Sequence, residues 1–333
     1  MDSKPEIRFS VIVPARNEER MIGGCLERLA AMNYPREKLE VILVDNGSTD
    51  RTLEVFQSWA DRLNLRVLQR PNVKISALRN LGAAEAKGEG LAFLDADCLV
   101  PQDWLRDASS FLSNENEGVI GAHYRIPPDS TWLARSWFDD EHANTAGDTS
   151  YVPAGDVLLR KSTFVQIGGF DEKLETNEDY EFCRRARRLG IPLRSYPCLE
   201  VIHLGTPQKI GRFYRQQRWH GRHVFKVFVD NLPSLYNARA IFFAIYALLS
   251  VFTLVAGIGA SIITGHPQWI LGAVGFLLLG PILLAARSTV KRRKVEIFLP
   301  LVLLYFLYGM ARAACLLPRL DINQWKSVPA TNQ

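Results

Sequence analysis

Two stretches near the C-terminus, 241–263 and 269–286, run without a charged residue until their ends. Each approaches the roughly 20 apolar residues that let a helix cross the hydrocarbon of a bilayer, so both are expected to be transmembrane helices. A third, 297–317, is interrupted by Arg312. It either spans, with the arginine snorkelling or facing protein, or re-enters without crossing. The segment 287–294 carries five basic residues and reads as a loop, while 264–268 carries no Lys or Arg. Basic loops stay on the cytoplasmic side, which leaves residues 1–240 in the cytoplasm. The polar N-terminus, 1–9, holds no apolar run able to serve as a signal peptide and agrees with that orientation. The features together describe a multi-pass protein of the inner or plasma membrane.

Charge is segregated along the same axis. Residues 207–333 hold 15 Lys and Arg against 3 Asp and Glu, and the remainder 25 against 32, behind a net charge of only +5. A basic rear interleaved with bilayer-length apolar runs suits an anionic membrane surface and argues against nucleic acid as a partner. Residues 207–236 set Arg and Lys among Phe, Tyr and Trp at spacings of three and four. That is the pattern of a helix in the membrane interface, with a soluble helix packed on the preceding domain as the plainer alternative. The five cysteines, Cys25, Cys98, Cys183, Cys198 and Cys315, form no Cys-x-x-Cys pair and are odd in number. Neither a disulfide framework nor a zinc ribbon is expected, and a reducing compartment fits. The expected division is a cytosolic domain over 1–206, an interfacial segment over 207–240, a membrane region over 241–318 and a polar tail over 319–333.

The front domain alternates strand and helix. Short β-branched runs at 9–14 and 40–45 enclose a segment, 18–32, with helical apolar spacing, which makes a βαβ unit with parallel strands. A helix over 50–62, a strand over 65–69, a helix over 75–86 and a strand over 91–94 continue it. The fold class expected is α/β, an open, mostly parallel sheet with helices on both faces, followed by the interfacial helix and an all-α membrane region. Ligands of such a sheet lie at the carboxyl ends of its strands, where polar residues gather here at 14–18, 45–50 and 95–97. No Gly-x-Gly-x-x-Gly follows the first strand, which weakens a nicotinamide-dependent dehydrogenase reading. Beyond a helix at 103–112, residues 121–153 read as loops and an irregular wall. A further helix is expected over 176–189, with Thr176 and Asn177 as cap-type residues, Glu178 and Asp179 at its positive dipole end and Gly190 ending it.

Several residues could carry chemistry. Asp95 and Asp97 follow an apolar strand and suit Mg²⁺ or Mn²⁺ bound together with a diphosphate, although a lone Asp-x-Asp is also a common solvated turn. Asp45 is placed to accept hydrogen bonds from a ribose or base, whereas a plain helix cap explains Ser48 and Thr49 alone. Asn17 and Glu18 form either a helix start or a base-reading loop. Arg79 faces a diphosphate or solvent. Asp179 is either an ordinary acidic helix start or a general base taking the proton from an acceptor hydroxyl, and a single base implies one in-line displacement with inversion. His203 follows a short strand over 200–202 and is a possible third metal ligand, against the ordinary fate of a lone histidine. Arg215, Arg218 and Trp219 reach a phosphate or a sugar, or simply anchor the chain at the headgroups.

In order, SVIVPARNEE (10–19), EVILVDNGSTD (40–50), RNLGA (79–83), FLDADC (93–98), GGFDE (168–172) and NEDYEFCRRARRLG (177–190) resemble the inverting family 2 glycosyltransferases of GT-A fold. The resemblance implies that Pro14, Ala15, Glu18 and Asp45 surround the nucleoside, that Asp97 with Asp95 hold the metal and the sugar diphosphate, and that Asp179 is the base. With Arg16, Asn46 and Arg79 the donor set is complete; His203 joins Asp97 at the metal, and Glu178, Arg215, Arg218 and Trp219 are candidate phosphate or acceptor contacts. Processive members carry Gln-x-x-Arg-Trp, but the residue four before Trp219 is Arg215, a partial match. The function expected is metal-dependent, inverting transfer from a nucleotide sugar, UDP-linked, to a lipid-linked or membrane-proximal acceptor. A processive polysaccharide synthase and a catalytically silent nucleotide-sugar-binding scaffold are the alternatives. Acceptor recognition is expected within 121–156, where Trp132, Trp137, Asp139, Asp140, His142 and Asp156 are candidates.

Overall fold

The β-branched runs become the centre of a sheet because they are apolar on both sides. Strand β1 (Phe9–Ala15) and strand β2 (Leu39–Asp45) are buried at every residue. Alternate side chains feed two cores: Val11, Val13, Val41 and Leu43 point to one face, Ile12, Ile42 and Val44 to the other. This computed structural model describes residues 7–141, 146–221 and 238–316. Its described residues form two compact units, one of 7–127 with 146–206 and the other of 128–141, 207–221 and 238–316.

The first unit is built on an eight-stranded mixed sheet. To β1 and β2 it adds β3 (Leu65–Gln69), β4 (Gly90–Leu94), β6 (Val119–Gly121), β7 (Gly147–Asp148), β8 (Asp156–Arg160) and β9 (Leu193–Ser195), in the order β3-β2-β1-β4-β8-β6-β9-β7. Strands β3, β2, β1 and β4 pair in parallel, and β8 enters antiparallel to both β4 and β6. Helices α1 (Ile22–Ala30) and α4 (Trp104–Leu112) fill one face, and α3 (Ile75–Glu85), α6 (Lys161–Ile167) and α7 (Glu178–Arg188) the other. A short α2 (Thr52–Gln57) packs beside α1. Strands β5 (Cys98–Leu99) and β10 (Ile202–His203) form a separate antiparallel ribbon.

Several boundaries differ from expectation. The first helix begins at Ile22, since 18–21 form a turn, and the second ends at Gln57 before a run of turns. His203 lies within its strand, not after it. Asn177 does occupy the cap position of α7, but in the left-handed region at φ 62° and without a side-chain capping bond.

The second unit is helical: α5 (Trp132–Glu141), α8 (Ile210–Gly221), α9 (Ala238–Thr264), α10 (Gln268–Arg292) and α11 (Phe298–Ala313). Helix α5 corrects the reading of 121–153 as irregular, and the expected unbroken first domain is interrupted, because 128–141 leave it. Leu133 and Trp137 pack with Phe213, Ala285, Leu301 and Leu304, and the Trp137 ring meets Phe213 at 5.0 Å and Tyr305 at 5.3 Å. Arg292 Nη1 donates to the Ser136 carbonyl at 2.9 Å. The basic stretch expected as a loop is mostly the last turns of α10, which Arg293 closes in the left-handed region at φ 56°. The Tyr246 hydroxyl of α9 accepts from the Gly280 amide and donates to the Phe276 carbonyl of α10, inserting into that helix's ladder just before Pro281. Three helices, Ala238–Thr264, Gln268–Arg292 and Val295–Ala313, are long and apolar enough to cross a membrane. Of the expected interfacial segment, 207–221 with α8 and 238–240 are described; 222–237 and the tail, 319–333, lie outside the described residues.

Candidate active site

A parallel sheet offers its strand ends to a ligand where neighbouring connections leave in opposite directions, and β1 is such a strand, with β2 on one side and β4 on the other. There the structure opens a cleft of about 270 Å³ lined by Pro14, Ala15, Arg16, Glu18, Asn46, Ile75, Leu78, Asp95, Ala96, Asp97 and His203. The loops forming its rim are laced together. Ser48 Oγ accepts from the Asn17 amide at 3.0 Å, Asn17 Oδ1 from the Thr49 amide at 2.8 Å, and Thr52 Oγ1 from the Glu18 amide at 2.7 Å. Ser48 and Thr49 thus tie loop to loop instead of capping α2. Asn46 holds the chain at Val73 through both amide atoms.

Asp45 departs from its expected place. It is buried, and its carboxylate accepts from the Gly47 and Ser48 amides at 3.0 and 3.1 Å, closing its own turn. It is absent from the cleft lining. Arg79 also departs: it is neither on the surface nor at the cleft but fully buried on α3. Its Nη1 donates to Glu178 Oε1 at 2.7 Å and its Nη2 to Asp95 Oδ1 at 2.8 Å. One guanidinium therefore serves two carboxylates while a third, Asp179, stands next to Glu178. Burial first, then the charge of Asp179, pushes Glu178 up to about 7 against the pull of Arg79.

Asp97 and His203 meet because the β5–β10 ribbon pairs Cys98 with His203. His203 Nε2 lies 3.6 Å from Asp97 Oδ1, and Tyr124 stacks on the imidazole at 4.8 Å. Cys98 Sγ falls within the same cluster but is fully buried and has no face on the cleft. Two glycines make the approach possible. A Cβ on Gly205 would lie 2.0 Å from Asp97 Oδ2, and one on Gly155 2.3 Å from Asp95 Oδ2.

Asp179 is half-buried in the first turn of α7, where its Oδ2 accepts from the Tyr151 hydroxyl at 2.5 Å. It is joined to the cleft through its neighbour Glu178, then Arg79 and Asp95. Tyr124, Tyr151, Gly155 and Gly205 escaped the reading of the sequence; none sits in a motif, and each gains its place from a partner distant in the chain. Of the acceptor candidates, Asp156 is fully buried on β8, accepting from Trp104 Nε1 at 3.0 Å and the Ala122 amide at 2.8 Å, and burial holds its carboxyl well above the usual range. It is structural. Trp137 is core of the second unit, whereas Trp132 is exposed. The side chains of Asp139 and Asp140, and His142, lie outside what is described. Arg215, Arg218 and Trp219 are exposed on α8 and belong to the second unit.

The family model for glycosyl transferase family 2 matches residues 10–170. Glycosyltransferase AglE of Haloferax volcanii is 30% identical over 238 residues, 70% of this chain and 78% of that one. This chain belongs to glycosyl transferase family 2. Among solved structures, the mannosyltransferase PcManGT of Pyrobaculum calidifontis, in complex with GDP-Man and Mn²⁺, superposes with a TM-score of 0.61 at 20% identity, covering 93% of this chain and 88% of the other. Residues 1–349 of Staphylococcus aureus TarS with UDP-GlcNAc give 0.50 at 20% identity, covering 92% and 91%. The poly(ribitol-phosphate) β-N-acetylglucosaminyltransferase TarS as a whole is much longer, and the aligned 116 residues are 20% of it. Family 2 membership makes the protein a glycosyltransferase, and the structural likeness establishes the GT-A fold.

Proposed function

We propose that this glycosyltransferase moves one sugar, or a few, from a nucleotide sugar to a lipid-linked or membrane-proximal acceptor, with inversion at the anomeric carbon and with a divalent cation. The cleft at the ends of β1 and β4, where Asp97 and His203 converge, carries this reading. Its size and polar lining suit a nucleoside diphosphate, and PcManGT and TarS were each solved with a nucleotide sugar. UDP is the nucleotide we assign, with GDP as its rival. Pro14, Ala15, Arg16, Glu18 and Asn46 line the nucleoside end.

The donor set fits a cation: a carboxylate oxygen and an imidazole nitrogen converge, and Gly205 keeps the space beside Asp97 free of a side chain. Asp97 and His203 would hold Mg²⁺ or Mn²⁺, which supplies positive charge to the leaving diphosphate. The remaining work belongs to the chain. Arg79 fixes Asp95 at the cleft and Glu178 behind it. Asp179, oriented by Tyr151, takes the proton from the acceptor hydroxyl as that oxygen attacks. A single base on the acceptor side permits one displacement, and therefore inversion. Residues 1–206 without the 128–141 insertion form the catalytic part. The three apolar helices and the basic residues of α8 and α10 support a multi-pass inner or plasma membrane protein with the catalytic part facing the cytoplasm.

Membranes containing the protein, given a panel of radiolabelled UDP- and GDP-sugars with Mn²⁺, are expected to make an organic-soluble product of one to a few sugars. Its new linkage should have the anomeric configuration opposite to the donor's. A long water-soluble polymer, or retained configuration, overturns the proposal.

A further inference from the structure

Arg312 is the only charged residue of α11, a helix apolar enough for a bilayer, and the catalytic reading gives it no task. The structure turns it against α8. Its Nη2 donates to Gln217 Oε1 at a long 3.4 Å, and its guanidinium lies 4.9 Å over the Tyr308 ring. Nε and Nη1 are buried without a hydrogen-bond partner, and among the described residues no carboxylate pairs with this arginine. Donors left in that condition disfavour the folded state unless an acceptor reaches them.

Among the described residues, the surroundings add positive charge and no negative charge. Helix α8 carries exposed Arg212, Arg215 and Arg218 and no acidic residue. His220, on the same helix, is held at about 4 by burial and then by Arg312, so it is neutral near pH 7 and adds no charge of its own beside the arginine. The exposed arginines and the exposed Trp219 of α8 set the depth of this spot at the headgroups of a membrane, where phosphate is the abundant anion.

We propose that Arg312, supported by Gln217, binds the phosphate group of a membrane lipid. The inference rests on the membrane reading above but needs neither the donor nor the sugar acceptor to be known. The probe is native mass spectrometry of the full-length protein in detergent, titrated with phosphatidic acid and with diacylglycerol bearing the same chains. The wild type is expected to hold phosphatidic acid about tenfold more tightly than diacylglycerol, the worth of one charge-assisted hydrogen bond. Arg312→Met should abolish the preference and Arg312→Lys should keep part of it; Arg312→Gln serves where the methionine variant fails to fold. Nucleotide thermal shifts, read in parallel, should not change.

Equal retention of both lipids by the wild type overturns the proposal, as does an undiminished preference in Arg312→Met. Inorganic phosphate that displaces phosphatidic acid at equal concentration assigns the site to free phosphate and overturns the lipid assignment. Recovery of the protein in a soluble fraction without detergent refutes the membrane reading itself.

Discussion

Arg79 shares one positive charge between Asp95 and Glu178, and Asp179 adds a third carboxylate beside them. Burial above all, and then the charge of Asp179, is why Glu178 keeps a proton up to about 7 although Arg79 pulls the other way. A carboxyl raised in the folded state binds more protons there than in the unfolded chain, so its contribution to stability falls as pH rises from the ordinary value of 4.5 to about 7. Thermal unfolding in the presence of a chelator should therefore show a slope over that window which Glu178→Gln flattens, by at most about 1.4 kcal/mol per pH unit. An unchanged slope removes Glu178 as its source. In the proposed mechanism Asp179 has a different task, that of the base. Asp179→Asn keeps the shape of the first turn of α7 and removes the base, so turnover should drop by roughly 10²–10⁴-fold while donor affinity stays as it was. Single-turnover rates and nucleotide binding, measured side by side, decide this; unaltered turnover excludes Asp179 from the chemistry.

At the scale of elements, α5 shows how a helix can leave one unit for another. Trp137 is buried there by Phe213 of α8 and Tyr305 and Tyr308 of α11. Trp137→Ala should cost about 3–5 kcal/mol in the second unit, seen as earlier thermal unfolding in detergent with donor binding below the transition preserved. Unfolding at the wild-type temperature would show that α5 is not part of that core. This helix was illegible in the sequence, because the residues that bury its apolar side lie 75 or more positions later. Strands β1 and β2 were legible for the opposite reason: a central strand covered on both faces needs an unbroken apolar run rich in β-branched residues, and Val11 to Val13 and Val41 to Val44 supply it. The cleft was legible in part. Asp95, Asp97 and the β1 loop had to be near one another once the sheet was parallel, whereas the bond of Asp45 to its own turn and the burial of Arg79 depend on side-chain directions that spacing does not fix. His203 reached Asp97 through a two-residue ribbon too short to leave a pattern.

At the scale of the molecule, a GT-A sheet with its polar cleft and a set of bilayer-length helices share one chain, and their charges divide accordingly, acidic in front and basic behind. Under the proposed function, such a division serves a polar donor in water and an acceptor at a membrane surface. Everything in this arrangement depends on the cleft at β1 and β4 holding a nucleotide sugar through Asp97. Binding of UDP- and GDP-sugars to the full-length protein in detergent, by calorimetry with Mn²⁺ and with chelator, for the wild type and for Asp97→Asn, tests that dependence. One nucleotide class should bind, at least about tenfold more tightly with the cation, and Asp97→Asn should erase the difference. Equal affinity in chelator, or a cation effect that survives Asp97→Asn, contradicts the assignment.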